Sequence, residues 1–395
     1  TSDRPKRDPL PKRSMTAAQI NSYCSRGIYR KCYDVENVEL ALPTPENIGL
    51  IKQGLPVSEL PAPLHESPQT VATIAFRKLR EIIGKKMQNG KSPGLSGWTR
   101  ELLFTLFCTE VHPIAEAALT GIFNDIANAN LSEGEKTFFR TIILTPLRYL
   151  DKVKIRALML TDVILKVCWK SLLTEIKDDF VLKTGQVHGR KGQSALAVLA
   201  IQMALNEDQV VVSLDISNAF PTLKRDTFME YVKNHRDWWQ IIPLLNMMYT
   251  VVVSARWYLS DGKMNFIEFL VTTGTLQGCA SGPQLYVCGT VETTAKFGAS
   301  IIQMADDINV CGPPSKVLGS ARGVIEEFAK IGQEVSLAKK MKILLPPRAS
   351  VKMPGINEAP FDKAEFVTNP LMLLGGLVSP RPAGGEAVMK AADGA

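Results

Sequence analysis

Residues 303–310 read "QMADDINV", and two adjacent carboxylates, Asp306 and Asp307, stand there between short apolar runs that otherwise have the composition of buried strand. Like charges a few ångströms apart repel, and taking either out of water costs on the order of several kcal/mol unless a cation or hydrogen bonds compensate. The pair therefore sits at a solvated turn or holds metal, and these eight residues leave both open. The wider segment "ASIIQMADDINVCG", 299–312, reads as a hairpin with the two Asp near its tip.

A third carboxylate closes a run of similar character. "QVVVSLD", 209–215, is apolar and β-branched, ends in Asp215, and is followed by the turn "ISNAFP" and a helix expected from about residue 224. A strand ending in Asp215 and a hairpin tip bearing Asp306 and Asp307 would bring three carboxylates to one edge of an antiparallel sheet. Two divalent cations about 4 Å apart want such a set, to activate an attacking hydroxyl and stabilise the leaving oxygen of an in-line phosphoryl transfer. Oxygen donors without His or Cys nearby favour Mg²⁺ or Mn²⁺ over zinc.

The rest of the composition narrows the classes. With 395 residues, 45% of them hydrophobic and 22% charged, the chain can bury a large core in more than one lobe. The net charge of +7 suits a phosphate-bearing partner and equally a solvated surface. Seven cysteines without a CxxC pair and four dispersed histidines give no zinc site and no Ser-His-Asp or Cys-His arrangement, and point to reduced thiols in an intracellular protein. The most apolar stretch, "IIPLLNMMYTVVVSA" at 241–255, is interrupted by Pro243 and Asn246 and is too short to span a bilayer, so no membrane partner is expected. The basic, polar start offers no signal peptide, and a first residue Thr1 in place of Met suggests a piece of something longer.

Arg4, Lys6, Arg7, Lys12 and Arg13 among prolines read as a disordered basic arm, and the prolines at 43, 45, 56, 61, 63 and 68 as a linker or extended strap. From about residue 71, "VATIAFRKLREIIGKKM" sets Val71, Ile74, Ala75, Leu79 and Ile82 on one helical stripe that ends at "NGKSPGLSGW". Further helices are expected over roughly 100–130 and 158–178, with "TIILTPL", 141–147, a short strand closed by Pro146. The Asp261-Gly262 turn inside "SARWYLSDGKMNFIEFLV" marks a hairpin, and "TTGTLQGCASGPQLY" a glycine-rich turn feeding a helix.

In this order the segments resemble the reverse transcriptases, more closely those of non-LTR retrotransposons than retroviral enzymes. "LDISNAF" is similar to their first palm motif, "GTLQGCASGP" to their second, and "MADD" to their Tyr-Ala-Asp-Asp box. "KSPGLSGW" resembles Lys-Ala-Pro-Gly-Pro-Asp-Gly, "QVHGRKGQSAL" resembles Gln-Phe-Gly-Phe-Arg-x-Gly-x-Ser, "GQEVSLAKKMKIL" resembles Gly-Leu-x-x-Asn-x-x-Lys, and "LLGGLVS" the Phe-Leu-Gly grip. The likeness covers about residues 72–380.

The resemblance implies an α+β, right-hand polymerase fold: a basic Pro-rich extension over 1–70, fingers over 71–200, a palm with an antiparallel sheet over 201–375, a tail over 376–395, and a thumb absent or truncated. It implies an RNA-directed DNA polymerase that adds dNTPs to a primer 3′-hydroxyl on an RNA template with two Mg²⁺ or Mn²⁺ ions, nuclear if its element is eukaryotic. Asp215 and Asp306 would bridge the metals, Asp307 would complete the cluster, and the Ile216 carbonyl would be an extra ligand. Phe220 would lie beneath the sugar and collide with a 2′-hydroxyl, Gln277 and Gly278 would line the nascent pair, and Lys339 would face the triphosphate. Leu147 stands where the family keeps a triphosphate-binding Lys, so Arg148 is expected to substitute, although one step along a strand changes the face. Arg156 fits the family's second phosphate-binding cation, with Ala157 in place of proline; Ser96 stands at a usual Asp, and Met304 fills the apolar space of an aromatic.

Plainer readings accompany each residue. Phe220 also fits a core aromatic starting a helix, Gly274, Gly278 and Gly282 fit turn glycines, Lys339 with Lys340 and Lys342 fits a solvated basic face, and Cys279 and Cys288 fit packing positions. The rival functions are an RNA-dependent RNA polymerase, whose box more often reads Gly-Asp-Asp, and a truncated or inactive retroelement-derived nucleic-acid-binding protein.

Overall fold

The computed structural model of the protein describes residues 38–89, 93–149, 155–176, 185–187, 193–259, 265–336, 341–346, 353–367, 371–374 and 376–378. The basic arm, the Asp261-Gly262 turn and Lys339 lie outside them. Where the prolines suggest an extended strap, the chain forms strand β1 (Val38–Leu40) and helix α1 (Pro45–Gly54). The local reason is a complete N-terminal signal: the Thr44 hydroxyl accepts the Asn47 N–H at 3.2 Å, Pro45 occupies a first-turn position that needs no donor, and Glu46 meets the positive end of the helix.

The helix expected from residue 71 begins five residues later, as α2 (Phe76–Glu81), and runs into a wider π-type turn, Ile82–Lys86. Two helices follow where one span was expected, α3 (Arg100–Cys108) and α4 (Pro113–Ala127), with Pro113 opening the second. Asn124 in the last turn of α4 and Asn128 at its C-cap explain the late start. The Asn128 side chain accepts the Ala72 N–H at 2.7 Å and donates to Ala72 O at 2.9 Å, while Asn124 does the same for Ile74 at 2.7 and 3.2 Å. Residues 72–74 thus obtain strand-like partners from two amides, which outweigh a weak helix preference. Arg100 reaches back to the carbonyls of Ile83 and Gly84 at 2.8 and 2.9 Å, satisfying main-chain oxygens of the π-type turn.

Helix α5 (Glu133–Arg140), closed by a Ser132/Glu135 capping box, leads into β2 (Thr141–Tyr149), which pairs antiparallel with β3 (Ile155–Leu160). Strand β2 does not stop at Pro146. The Pro146 carbonyl accepts the Ala41 N–H at 3.0 Å, so its ring nitrogen faces that same side, in the gap before β1 pairing begins at Leu147. The bond forgone is the reciprocal one from position 146 back to Ala41, just past the end of β1. Asp162, buried, caps helix α6 (Val163–Leu173) by accepting the Ile164 N–H, and it accepts the Ser96 N–H as well, pinning the turn at Ser96 beside the end of β3.

Helix α7 (Gln193–Asn206) precedes β4 (Val210–Asp215), short α8 (Ala219–Thr222), α9 (Arg225–Asn234) and α10 (Ile242–Tyr249). The expected hairpin forms from β5 (Val253–Tyr258) and β6 (Phe266–Val271), and β5 also pairs parallel with β2 at Thr141–Ile143. One sheet therefore contains β1, β2, β3, β5 and β6, drawing its last two strands from the stretch expected as palm. After α11 (Gly282–Ala295) come β7 (Ile301–Met304), β8 (Asp307–Gly312), α12 (Val317–Lys330), β9 (Lys342–Leu344) and β10 (Glu365–Val367), and the second sheet runs β10-β9-β4-β8-β7.

Both faces of that second sheet are covered. Val210, Val212 and Leu214 join the main core with α11 and α12, whereas Val211, Cys311 and Leu344 pack with Ala197, Ile201 and Leu205 of α7. This double burial explains why "QVVVSLD" is apolar without alternation. The architecture is α+β, and among the described residues no helix is long and apolar enough to cross a membrane.

Candidate active site

The carboxylates meet through strand register. Strands β4 and β8 are antiparallel with Asp215 opposite Asp307, and β7 and β8 are antiparallel with Met304 opposite Asp307, leaving Ala305 and Asp306 as a two-residue turn. Opposed Cα atoms in such a ladder are roughly 4.5–5.5 Å apart, so all three Asp issue from one sheet edge. The β4 exit is held from the side: Ser336 N–H donates to Asp215 O at 2.7 Å, Ser217 N–H to Glu334 O at 2.8 Å, and Ile216 bridges Val335.

Asp215, Asp306 and Asp307 line one cleft together with Ile216, Phe220, Gln277 and Arg156. Seven residues singled out from sequence are thereby brought together. Three carboxylates without imidazole or thiol are a hard-cation donor set. Their side chains are not drawn to a common point as placed: among the described residues no three acidic, imidazole or thiol groups form a ready metal cluster. Coordination would require rotation of the Asp side chains about their χ angles, which their adjacent strand ends permit.

Phe220 lies half-buried on α8, its ring centroid 5.0 Å from that of Tyr286 on α11. The Tyr286 hydroxyl donates to Gln333 Oε1 at 2.9 Å; burial pushes its pKa well above the usual range, and the charges of Asp306 and Asp307 push the same way. The glycine-rich turn is stitched onto α8, with Thr275 N–H donating to Phe220 O at 2.8 Å and Gly274 N–H to Leu223 O at 2.9 Å. Gln277 then presents its main-chain oxygen to Met159 N–H on β3 at 2.7 Å, tying the glycine-rich turn to β3.

Three expected site residues are not in this constellation. Arg148 is exposed and does not line the cleft, although its β3 partner Ile155 does, as does Arg156 opposite Leu147. Gly278 backs onto Met159, where an added Cβ would lie 3.1 Å from the carbonyl oxygen, so its close approach is to β3 and not to the cleft. Lys339 lies outside the described residues. Arg156 remains, its guanidinium 5.5 Å from the Tyr149 ring centroid.

Sequence reasoning missed Leu50, Ile51, Gly54 and Leu55, which wall the cleft from α1, and Asn218, which enters it from a left-handed position at φ +47. The Thr44-Pro45-Glu46 start of α1 was a readable helix signal; its placement beside Asp215 was not. It also missed Arg225, a buried guanidinium that donates to the carbonyls of Tyr249, Val251, Val271, Thr273 and Gly274 at 2.9–3.5 Å and so anchors the loop carrying Gln277.

No protein-family model matches the chain. Among curated proteins it is similar to the Retrotransposable element SLACS 132 kDa protein of Trypanosoma brucei gambiense, with 26% identity over 295 residues. That alignment covers 72% of this chain and 24% of the relative, so the chain spans about a quarter of that protein's length. The similarity supports a retroelement origin for the chain.

Proposed function

We propose that the chain is the RNA-directed DNA polymerase region of a retroelement, with fingers and palm of right-hand polymerase type, extending a DNA primer on an RNA template. The observation that carries this is the pairing of Asp215 with Asp307 across β4 and β8, in the same cleft as Phe220, Gln277 and Arg156. Asp215, Asp306 and Asp307, with the Ile216 carbonyl, would hold two Mg²⁺ or Mn²⁺ ions. Bound there, such ions supply Lewis-acid activation of the primer 3′-hydroxyl and neutralise charge on the departing pyrophosphate. Arg156 pairs with the triphosphate, Lys339 is the further cation or proton donor at that end, and Phe220 bars a ribose 2′-hydroxyl by contact with its ring. Gln277 bounds the nascent base pair.

The test is incorporation of dNTPs on a primed RNA template with Mg²⁺. Wild-type protein incorporates and Asp306→Asn does not; equal incorporation by both rejects the assigned carboxylates. One observation favours a second reading, a nucleic-acid-binding protein without catalysis: Arg148, expected at the triphosphate, does not line the cleft. Retained gel-shift binding of primed RNA by a wild-type protein inert in extension would establish that reading.

A further inference from the structure

Ala305 is the residue on which the carboxylate turn depends, and its conformation is unfavourable. It lies between Met304 and Asp306 at φ +55, a left-handed state that a residue with a Cβ avoids unless its surroundings over-determine it. Its surroundings are two amides. Gln303 on β7, fully buried, donates through Nε2 to Ala305 O at 2.7 Å; Gln186, fully buried and 119 residues away along the chain, accepts the Ala305 N–H on Oε1 at 3.2 Å. Both main-chain polar groups of the strained residue are thus held.

Gln186 reaches the turn because residues 185–187 lie alongside β7 in a parallel bridge. Val187 N–H donates to Gln303 O at 2.9 Å and Gln303 N–H to Gly185 O at 3.2 Å. Gly185, at φ +69, passes so close to β7 that an added Cβ would sit 2.1 Å from Ile301 O. Burying two amides beneath a catalytic turn costs desolvation that Leu or Met at the same positions would avoid, so packing does not account for them.

We propose that Gln186 and Gln303 are positioning residues that lock Ala305 in its left-handed state and thereby set where Asp306 and Asp307 point relative to Asp215. The inference rests on the metal-holding role proposed above for those carboxylates. Without the clamp, Ala305 relaxes towards negative φ, the turn changes type, and Asp306 and Asp307 leave the sheet edge they share with Asp215. Glycine adopts the left-handed state freely, so Ala305→Gly removes the need for the clamp.

The experiment measures Mn²⁺ binding to the whole chain, without nucleic acid, from the free-ion paramagnetic resonance signal, with circular dichroism to check folding. Gln186→Leu and Gln303→Leu are expected to weaken Mn²⁺ binding about tenfold, the usual scale for groups that orient metal ligands. Adding Ala305→Gly to either is expected to restore most of the affinity, an outcome that mere loss of core packing cannot produce. If Gln303→Leu does not fold, Gln186→Leu, outside the sheet, decides alone. Unchanged Mn²⁺ affinity in the folded Leu variant, or a loss that Ala305→Gly does not recover, overturns the inference. Wild-type Mn²⁺ binding that Asp306→Asn leaves intact overturns instead the carboxylate assignment beneath it.

Discussion

Gly274→Ala separates two costs that a glycine can hide. Gly274 sits at φ +68 where the glycine-rich turn crosses α8, and a Cβ there would lie 2.3 Å from Phe220 O and 2.4 Å from the Pro221 Cα and carbonyl carbon. The first cost is conformational, about 1–2 kcal/mol for an L side chain in the left-handed region. The second is steric: the obstacles are backbone, so the turn must withdraw and forfeit the Gly274–Leu223 and Thr275–Phe220 hydrogen bonds. Those bonds are worth about 0.5–1.5 kcal/mol each, and the overpacking adds about 1–3 kcal/mol. The expected destabilisation is about 3–8 kcal/mol. Gly97 is the control, because it has φ +72 and nothing within 4 Å of a built Cβ. Gly97→Ala should therefore lose only the conformational part, about 1–2 kcal/mol. Urea unfolding followed by tryptophan fluorescence, extrapolated linearly to water, measures both. A Gly274→Ala variant within about 1 kcal/mol of Gly97→Ala would refute the claim that the turn is pressed against α8.

Arg225→Met should destabilise by about 3–5 kcal/mol in the same assay, since it strips donors from buried carbonyls. Burial pushes the Arg225 pKa down to about 10, so the group stays charged at neutral pH; a folded-state value below the ordinary one means that stability rises with pH only above about 10, and a rise beginning near neutrality would contradict this account. Phe220→Ala should raise rNTP use relative to dNTP use in primer extension, whereas an unchanged ratio would place Phe220 in the core and outside substrate selection. Burial also pushes the Cys168 thiol far up and the Cys311 thiol to about 12, so iodoacetamide at pH 8 should label half-buried Cys108 and spare those two, with mass-spectrometric mapping as the readout.

The sequence by itself determined what local pattern can carry. Apolar β-branched runs ending in Asp215, and flanking Asp306 and Asp307, specified a strand and a hairpin, because a carboxylate is stable only where such a run leaves the core. Two strand-like runs around Asp261-Gly262 specified the β5–β6 pairing, the turn itself lying outside the described residues. What depended on partners distant along the chain was decided only by the tertiary structure. Residues 71–75 follow a helical stripe, yet Asn124 and Asn128 draw 72–74 into an extended course. The proline count argues for a strap where α1 in fact forms and walls the cleft. Arg148 and Arg156 are both expected at the triphosphate until the fold puts Arg156 in the cleft and leaves Arg148 outside it. The grip of Gln186 on Ala305 joins groups 119 residues apart. Periodicity and turn residues are properties of a few consecutive residues, whereas register and side-chain hydrogen bonds between remote segments exist only once the chain has closed on itself.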